Sequence, residues 1–252
     1  DAVLKLVAGK VNQFVERNVA RPQLKMAAGF AARSYDESAP QFTEESIHEY
    51  HMYDLQRKTT LKDNQTKQIS LLGAANLKLD KEYVVSGNTY THYGTRRYTN
   101  DDYKVPVNVY VTFKNSAENG LKMPLPSGTV RMFTADSKGS QQFIGEDRIE
   151  HTPENEKVRL KSGEAFDIVA EIRQTKFKQA STQLYESEWK VNLRNHKNEA
   201  VTVDVVMPMT GNWEIEESNF EYESVDAFKV KFKIPVKKQG DAELVYKLKV
   251  GL

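Results

Sequence analysis

The chain of 252 residues has no cysteine. Disulfides, thiolate nucleophiles, zinc-thiolate centres and iron–sulfur clusters are excluded together. There is no surplus of either charge: Lys and Arg number 36, Asp and Glu 35. A protein that holds nucleic acid through its phosphates generally carries a basic excess, so no nucleic-acid partner is expected. No run approaches the ~18 apolar residues of a membrane-spanning helix. No Gly-rich phosphate loop leads from a strand into a helix, and no Gly-X-Ser-X-Gly elbow occurs. The first residue is Asp1 and no leader is in view, so a processed or trimmed chain is expected.

What is present is alternation. Val105, Val107, Val109, Val111 and Phe113 alternate with Pro106, Asn108, Tyr110 and Thr112. The same period of two runs through Trp189–Leu193, Val201–Val205, Phe228–Ile234 and Leu244–Val250. A strand gathers such residues on one face, whereas a helix scatters them. Turn signals separate the runs at Asn119-Gly120, Pro124–Gly128, Asp136–Gly139, Thr210–Asn212 and Gln239–Asp241. Further strands are expected near 129–135, 141–149, 157–160 and 165–177. The pattern predicts an all-β chain, with an antiparallel immunoglobulin-like β-sandwich over 105–252.

Residues 1–104 read as a mixed, mostly-β region. Strands are expected at Val3–Val7, His48–Leu55 and Thr66–Leu72, and an exposed connection at 34–45. Val11, Phe14, Val15 and Val19 have helical spacing, and the Ala-rich stretch Leu24–Arg33 fits helix or loop. The polar, Tyr-rich segment Asn88–Tyr103 places the expected boundary at 104. An echo links Val109–Asn115 to Trp189–Asn195: each is a strand leaving through an Asn, which predicts an Asx-turn.

The motifs Asn115-Ser-Ala-Glu-Asn-Gly120, Pro124–Val130, Phe143–Ile149 and His151-Thr-Pro153 together resemble the domain-of-unknown-function family 4139. Gly163–Asp167, Leu193–Lys197, Gly211-Asn-Trp213, Leu4–Gly9, Glu49–Tyr53 and Gln68–Leu71 extend the resemblance along nearly the whole chain. The resemblance implies a bacterial envelope protein, extracytoplasmic (periplasmic or secreted), some members being similar to mucoidy inhibitors. It implies no catalytic residues. It also implies that the region 1–104 is truncated, with earlier strands of the same fold upstream.

The candidate chemistry is sparse. Glu146, Asp147, Glu150 and His151 form the best enzyme-like cluster, yet adjacent strand positions face opposite ways, which favours polar groups bonding a turn. His48 and His51 diverge on a strand, so no metal is expected, and no cofactor. His196 falls in a turn. Trp189 and Trp213 read as packing, and the Lys229, Lys231, Lys233 row as a solvated strand face. The binding candidate is Tyr90, Tyr93, Arg96, Arg97, Tyr98 and Tyr103, where rings can stack on sugars and guanidinium groups can pair with anions. The expected function is a non-enzymatic structural or interaction module with a protein or glycan partner, and a homodimer through open strand edges. A carbohydrate- or peptide-binding module and a hydrolase whose acids meet only in space are the alternatives.

Overall fold

Alternation in the sequence becomes burial at Leu244, Tyr246, Leu248 and Val250, all of which are buried, while Lys247 and Lys249 between them are not. The computed structural model describes residues 3–8, 42–56, 58, 60, 62–87 and 103–251. Among the described residues the chain is all-β, with several antiparallel sheets and one short 3-10 turn at Ala117–Asn119. The expected helix over Val11–Val19 and the Ala-rich stretch Leu24–Arg33 lie outside the described residues. No helix among the described residues is long and apolar enough to cross a membrane.

The described residues form two compact units that interleave in sequence. One draws on 1–77, 114–128 and 150–157, the other on 78–113, 129–149 and 158–252.

The smaller unit holds β1 (Lys5–Ala8), β2 (Phe42–Ile47) and β3 (Tyr50–Leu55), in the order β1-β3-β2. Its core is Ala8, Phe42, Tyr53 and Leu55. Two expectations fail here. Residues 42–45 belong to β2 and not to an exposed connection, because their backbone pairs with β3. Thr66–Leu72 is not a strand; Ile69 and Leu71 instead pack as irregular chain on this core. The buried Tyr53 hydroxyl donates to the Pro124 carbonyl at 2.7 Å. Burial, with the Glu44 carboxylate second, pushes its pKa up to about 12.

Asn115 organises the rest of this unit. It is fully buried, and its amide Nδ2 faces three carbonyls: Met123 (3.2 Å), Thr152 (3.2 Å) and Pro153 (2.9 Å). Its own backbone exchanges bonds with Glu156 O and Asn155 N. A single side chain therefore ties 115–125 to 152–156. This is no Asx-turn. The echoing Asn195 does make one, its Oδ1 accepting from Lys197 N at 3.0 Å while Nδ2 donates to Glu199 O and Lys237 O.

The larger unit contains β4 (Asp80–Ser86), β5 (Tyr103–Val105), β6 (Val107–Lys114), β7 (Gly128–Ala135), β8 (Gln141–Ile149), β9 (Lys157–Glu164), β10 (Ile168–Ser181), β11 (Leu184–Asn195), β12 (Val201–Pro208), β13 (Asn212–Ser218), β14 (Tyr222–Asp226), β15 (Lys229–Val236) and β16 (Gly240–Gly251). A five-stranded sheet runs β13-β16-β11-β10-β5 and a six-stranded sheet β14-β15-β12-β4-β6-β9. Both contribute to one core, in which Phe232 of β15 stacks on Tyr246 of β16 at 5.3 Å. Each such buried side chain contributes roughly 1.5–3 kcal/mol.

The expected single strand Val105–Phe113 is broken at Pro106. β5 lies in the five-stranded sheet and β6 in the six-stranded one. Proline has no N–H for a ladder, so the chain changes sheet there. Val107 is the buried valine of the run, and Thr112 is buried as well. β4, carrying buried Tyr83, Val84 and Val85, enters between β12 and β6. Its pairing with β12 is parallel, against the expectation of antiparallel neighbours throughout.

Candidate interaction site

The acid cluster is dispersed. Glu146 pairs with Arg131 at 3.0 Å. Asp147 accepts from Lys161 N at 2.7 Å and from Arg148 N at 2.8 Å, which ties β8 to β9. These two backbone bonds, Lys161 first, hold its carboxyl below the usual range. His151 accepts from Ser127 N on Nδ1 at 3.2 Å. In the neutral ring the proton is then on Nε2, which faces Ser127 Oγ at 3.3 Å. That tautomer donates to the hydroxyl and cannot take its proton, so the pair is not set up as nucleophile and base. Among the described residues no group of three or more His, Asp or Glu side chains is placed to hold a metal.

Because the Asp147 pKa is lowered by folding, its contribution is present above the unfolded value near ~3.9 and is lost as pH falls through the folded value. Asp147→Asn is expected to flatten the acid limb of the melting-temperature profile between about pH 4 and 2. A profile in that range that matches the native protein removes Asp147 as an acid-labile tie.

His48 sits in a turn with φ +57°, and His51 is 2.7 Å from the Glu44 carboxylate, so they do not converge. His196 is exposed in its turn. Trp189 is buried, with Nε1 on Ser187 Oγ at 3.0 Å; Trp213 is half-buried, with Nε1 on the Ala227 carbonyl at 2.8 Å. Lys229 pairs with Asp226, and Lys231 and Lys233 share Glu223, so the row is neutralised by β14. Tyr90, Tyr93, Arg96, Arg97 and Tyr98 lie outside the described residues. Tyr103 is in β5, half-buried against the main core.

The outward face of the five-stranded sheet is also neutralised. Lys176 and Lys178 of β10 reach Glu188 and Glu186 of β11, at 2.8 and 3.4 Å. Lys247 and Lys249 of β16 reach Glu217 and Glu216 of β13. Arg194 holds Glu171 through both guanidinium nitrogens, at 2.8 and 2.7 Å. A groove of about 600 Å³ opens beside Phe177 and the lysines of β10, but its charges are already met by these neighbours.

One element stands apart. β7 and β8 form a two-stranded ribbon joined through Asp136, whose carboxylate accepts from Lys138 N and Ser140 N, both at 2.9 Å. Phe133 is 52% exposed, Phe143 57% and Ile144 44%. The two phenyl rings meet edge to face at 5.6 Å on one side of the ribbon. Ile144, next to Phe143 in sequence, faces the other side. An isolated two-stranded ribbon is marginal in water unless something supports it. Here Asp147 anchors its base, while β7 pairs with β8 alone among the described residues.

These residues were not among the sequence candidates. The turn at 136–139 was legible, but not that the strands beside it lie outside both larger sheets. The signal was Phe143-Ile144, an adjacent apolar pair that puts grease on both faces of a strand.

No protein-family model matches the chain, and no curated protein matches it.

Proposed function

We propose that the chain is a non-enzymatic structural or interaction module of an extracytoplasmic bacterial protein. Its body is an immunoglobulin-like β-sandwich, and the β7–β8 ribbon is its contact element. The motif resemblance to the domain-of-unknown-function family 4139 belongs to the same proposal.

The observation that carries it is the contrast between polar and apolar groups. Glu146 and Asp147 are engaged by neighbours within the fold, whereas Phe133, Phe143 and Ile144 stay about half exposed on one two-stranded ribbon. Exposed apolar side chains gathered on one element mark sites of association. The aromatic ring is the side chain most enriched at such sites.

The test is capture from envelope extract with the exported full-length protein. Three baits are compared: native, Phe133→Ser with Phe143→Ser, and Tyr93, Arg96, Arg97 and Tyr98 all changed to Ala. Loss of a native partner from the ribbon variant alone is the expected result. Loss from the Tyr/Arg variant alone moves the site to the Tyr90–Tyr103 segment and makes this a glycan- or peptide-binding module. Equal capture by all three removes both sites.

A further inference from the structure

We infer that β7 is a homodimerisation edge: two copies of this chain join β7 to β7 in antiparallel register centred on Met132, making a continuous four-stranded ribbon. The inference rests on reading the ribbon as the contact element, and it names the partner as a second copy.

Charge decides which edge can pair with itself. A two-fold axis brings each edge against its own image, so an edge with charges of one sign repels its copy. β13 carries Glu214, Glu216 and Glu217; β14 carries Glu223 and Asp226; β2 carries Glu44 and Glu45. β9 carries Lys157, Arg159 and Lys161 at alternate positions, with Glu164 at its far end. β1 and β5 span 4 and 3 residues, too short for a stable ladder. β8 is tied to β9 through Asp147. β7 is left. Its 8 residues, Gly128–Ala135, include one charge, Arg131, whereas β2, β9, β13 and β14 each carry at least two of one sign. It has no lysine and no proline, the residues that usually protect an open edge.

The register follows from the same residues. Paired residues across an antiparallel two-fold must share a face, so the axis passes through a residue and not between two. Centring on Arg131 sets two guanidinium groups against each other. Centring on Phe133 places Arg131 beside Ala135 and gains nothing for it. Centring on Met132 lays Phe133 of each copy beside Arg131 of the other, twice by symmetry, with Met132 against Met132 on the opposite face. An Arg over an aromatic ring is attractive, and this fold already uses one, Arg159 lying 3.5 Å from the centre of the Tyr110 ring. The strand pairing itself buries the two β7 backbones with Met132 and Phe133 of each copy. Such a contact lies at the low end of specific interfaces, where association no tighter than micromolar is expected.

The test is sedimentation of the full chain from 1 to 100 μM, for the native protein, Met132→Lys, Met132→Glu, and an equimolar mixture of the two variants. The native protein is expected to dimerise in the micromolar range. Each variant alone places like charges on the axis and is expected to dissociate at least 100-fold more readily. The mixture is expected to recover the dimer, because Lys then faces Glu. Circular dichroism matching the native protein confirms that the variants fold. A native protein that is monomeric at 100 μM overturns the inference, as does a dimer unaffected by either variant or a mixture that stays monomeric. A monomeric native protein whose ribbon variant still loses an envelope partner overturns the self-pairing alone and leaves the proposed function standing.

Discussion

Changing Asn115 to leucine is expected to lower the stability of the smaller unit by about 2–4 kcal/mol, a large fraction of an ordinary protein's roughly 5–15 kcal/mol. Leucine has the same branched heavy-atom skeleton as asparagine, with two bulkier methyl groups in place of the amide and no donor. The part-buried carbonyls of Met123 and Pro153 would lose the amide they converge on, while that of Thr152 would keep only the Leu125 N–H. Each of the two carbonyls left without this donor costs about 1–3 kcal/mol, and partial access to water holds the total below a simple sum. Hydrogen exchange is the measurement. The amides of Leu125 and Thr152, which bond each other's carbonyls, should lose protection together. Asn195→Leu removes donors to Glu199 and Lys237 and should expose a different region. If Asn115→Leu leaves Leu125 and Thr152 protected, the side chain is not the tie between the two segments.

The second large effect is expected at Gly145. A β-carbon there would lie 2.3 Å from the Ser162 carbonyl oxygen and 3.0 Å from its carbon. Both are backbone atoms and cannot swing aside. The residue also holds φ +156°, which L side chains rarely adopt. Gly145→Ala therefore combines a steric overlap with a torsional penalty, together about 4 kcal/mol. Gly163 separates the two terms. Its φ is +151°, yet the nearest atom to its added β-carbon is 4.0 Å away. Gly163→Ala should cost about 1–2 kcal/mol, the torsional part alone. The readout is the melting temperature, with exchange of the Lys161 amide reporting whether the Asp147 anchor has opened. Equal losses in the two variants would mean that the close approach of β8 to Ser162 does not matter.

Strand content was legible wherever one face is buried against a partner sheet. The alternation in β11, β12, β15 and β16 predicted the strands and their buried residues, except that Phe228 falls in the turn before β15 and is exposed. It misled at Val105–Phe113. Alternation carries on through Pro106 as a pattern of letters, whereas a backbone ladder cannot continue through a residue without an N–H. It also misled at Thr66–Leu72, where apolar residues pack without pairing. β4 was missed because Asp80–Ser86 has three successive buried residues and so no alternation to read. The interaction site was illegible for a different reason. Exposure of Phe133 depends on which strands fail to acquire a second neighbour, and that is a property of the whole topology. Asn115 was picked out as a strand-leaving Asn, but its three partners come from segments up to 38 positions away.

The parallel pairing of β4 with β12 has a consequence for how the protein is made. Val84 lies opposite Asp204, so almost half the chain separates them. β4 is nevertheless an interior strand, with β6 on its other side. As the polypeptide emerges from the ribosome, β4 can meet β6 early but must wait for residues 201–208 before its second edge closes. Closing so large a loop is slow, and it leaves a hydrophobic strand edge open in the interval. Refolding of the isolated protein is therefore expected in milliseconds to seconds, and the half-made chain is the form that most needs a holding chaperone.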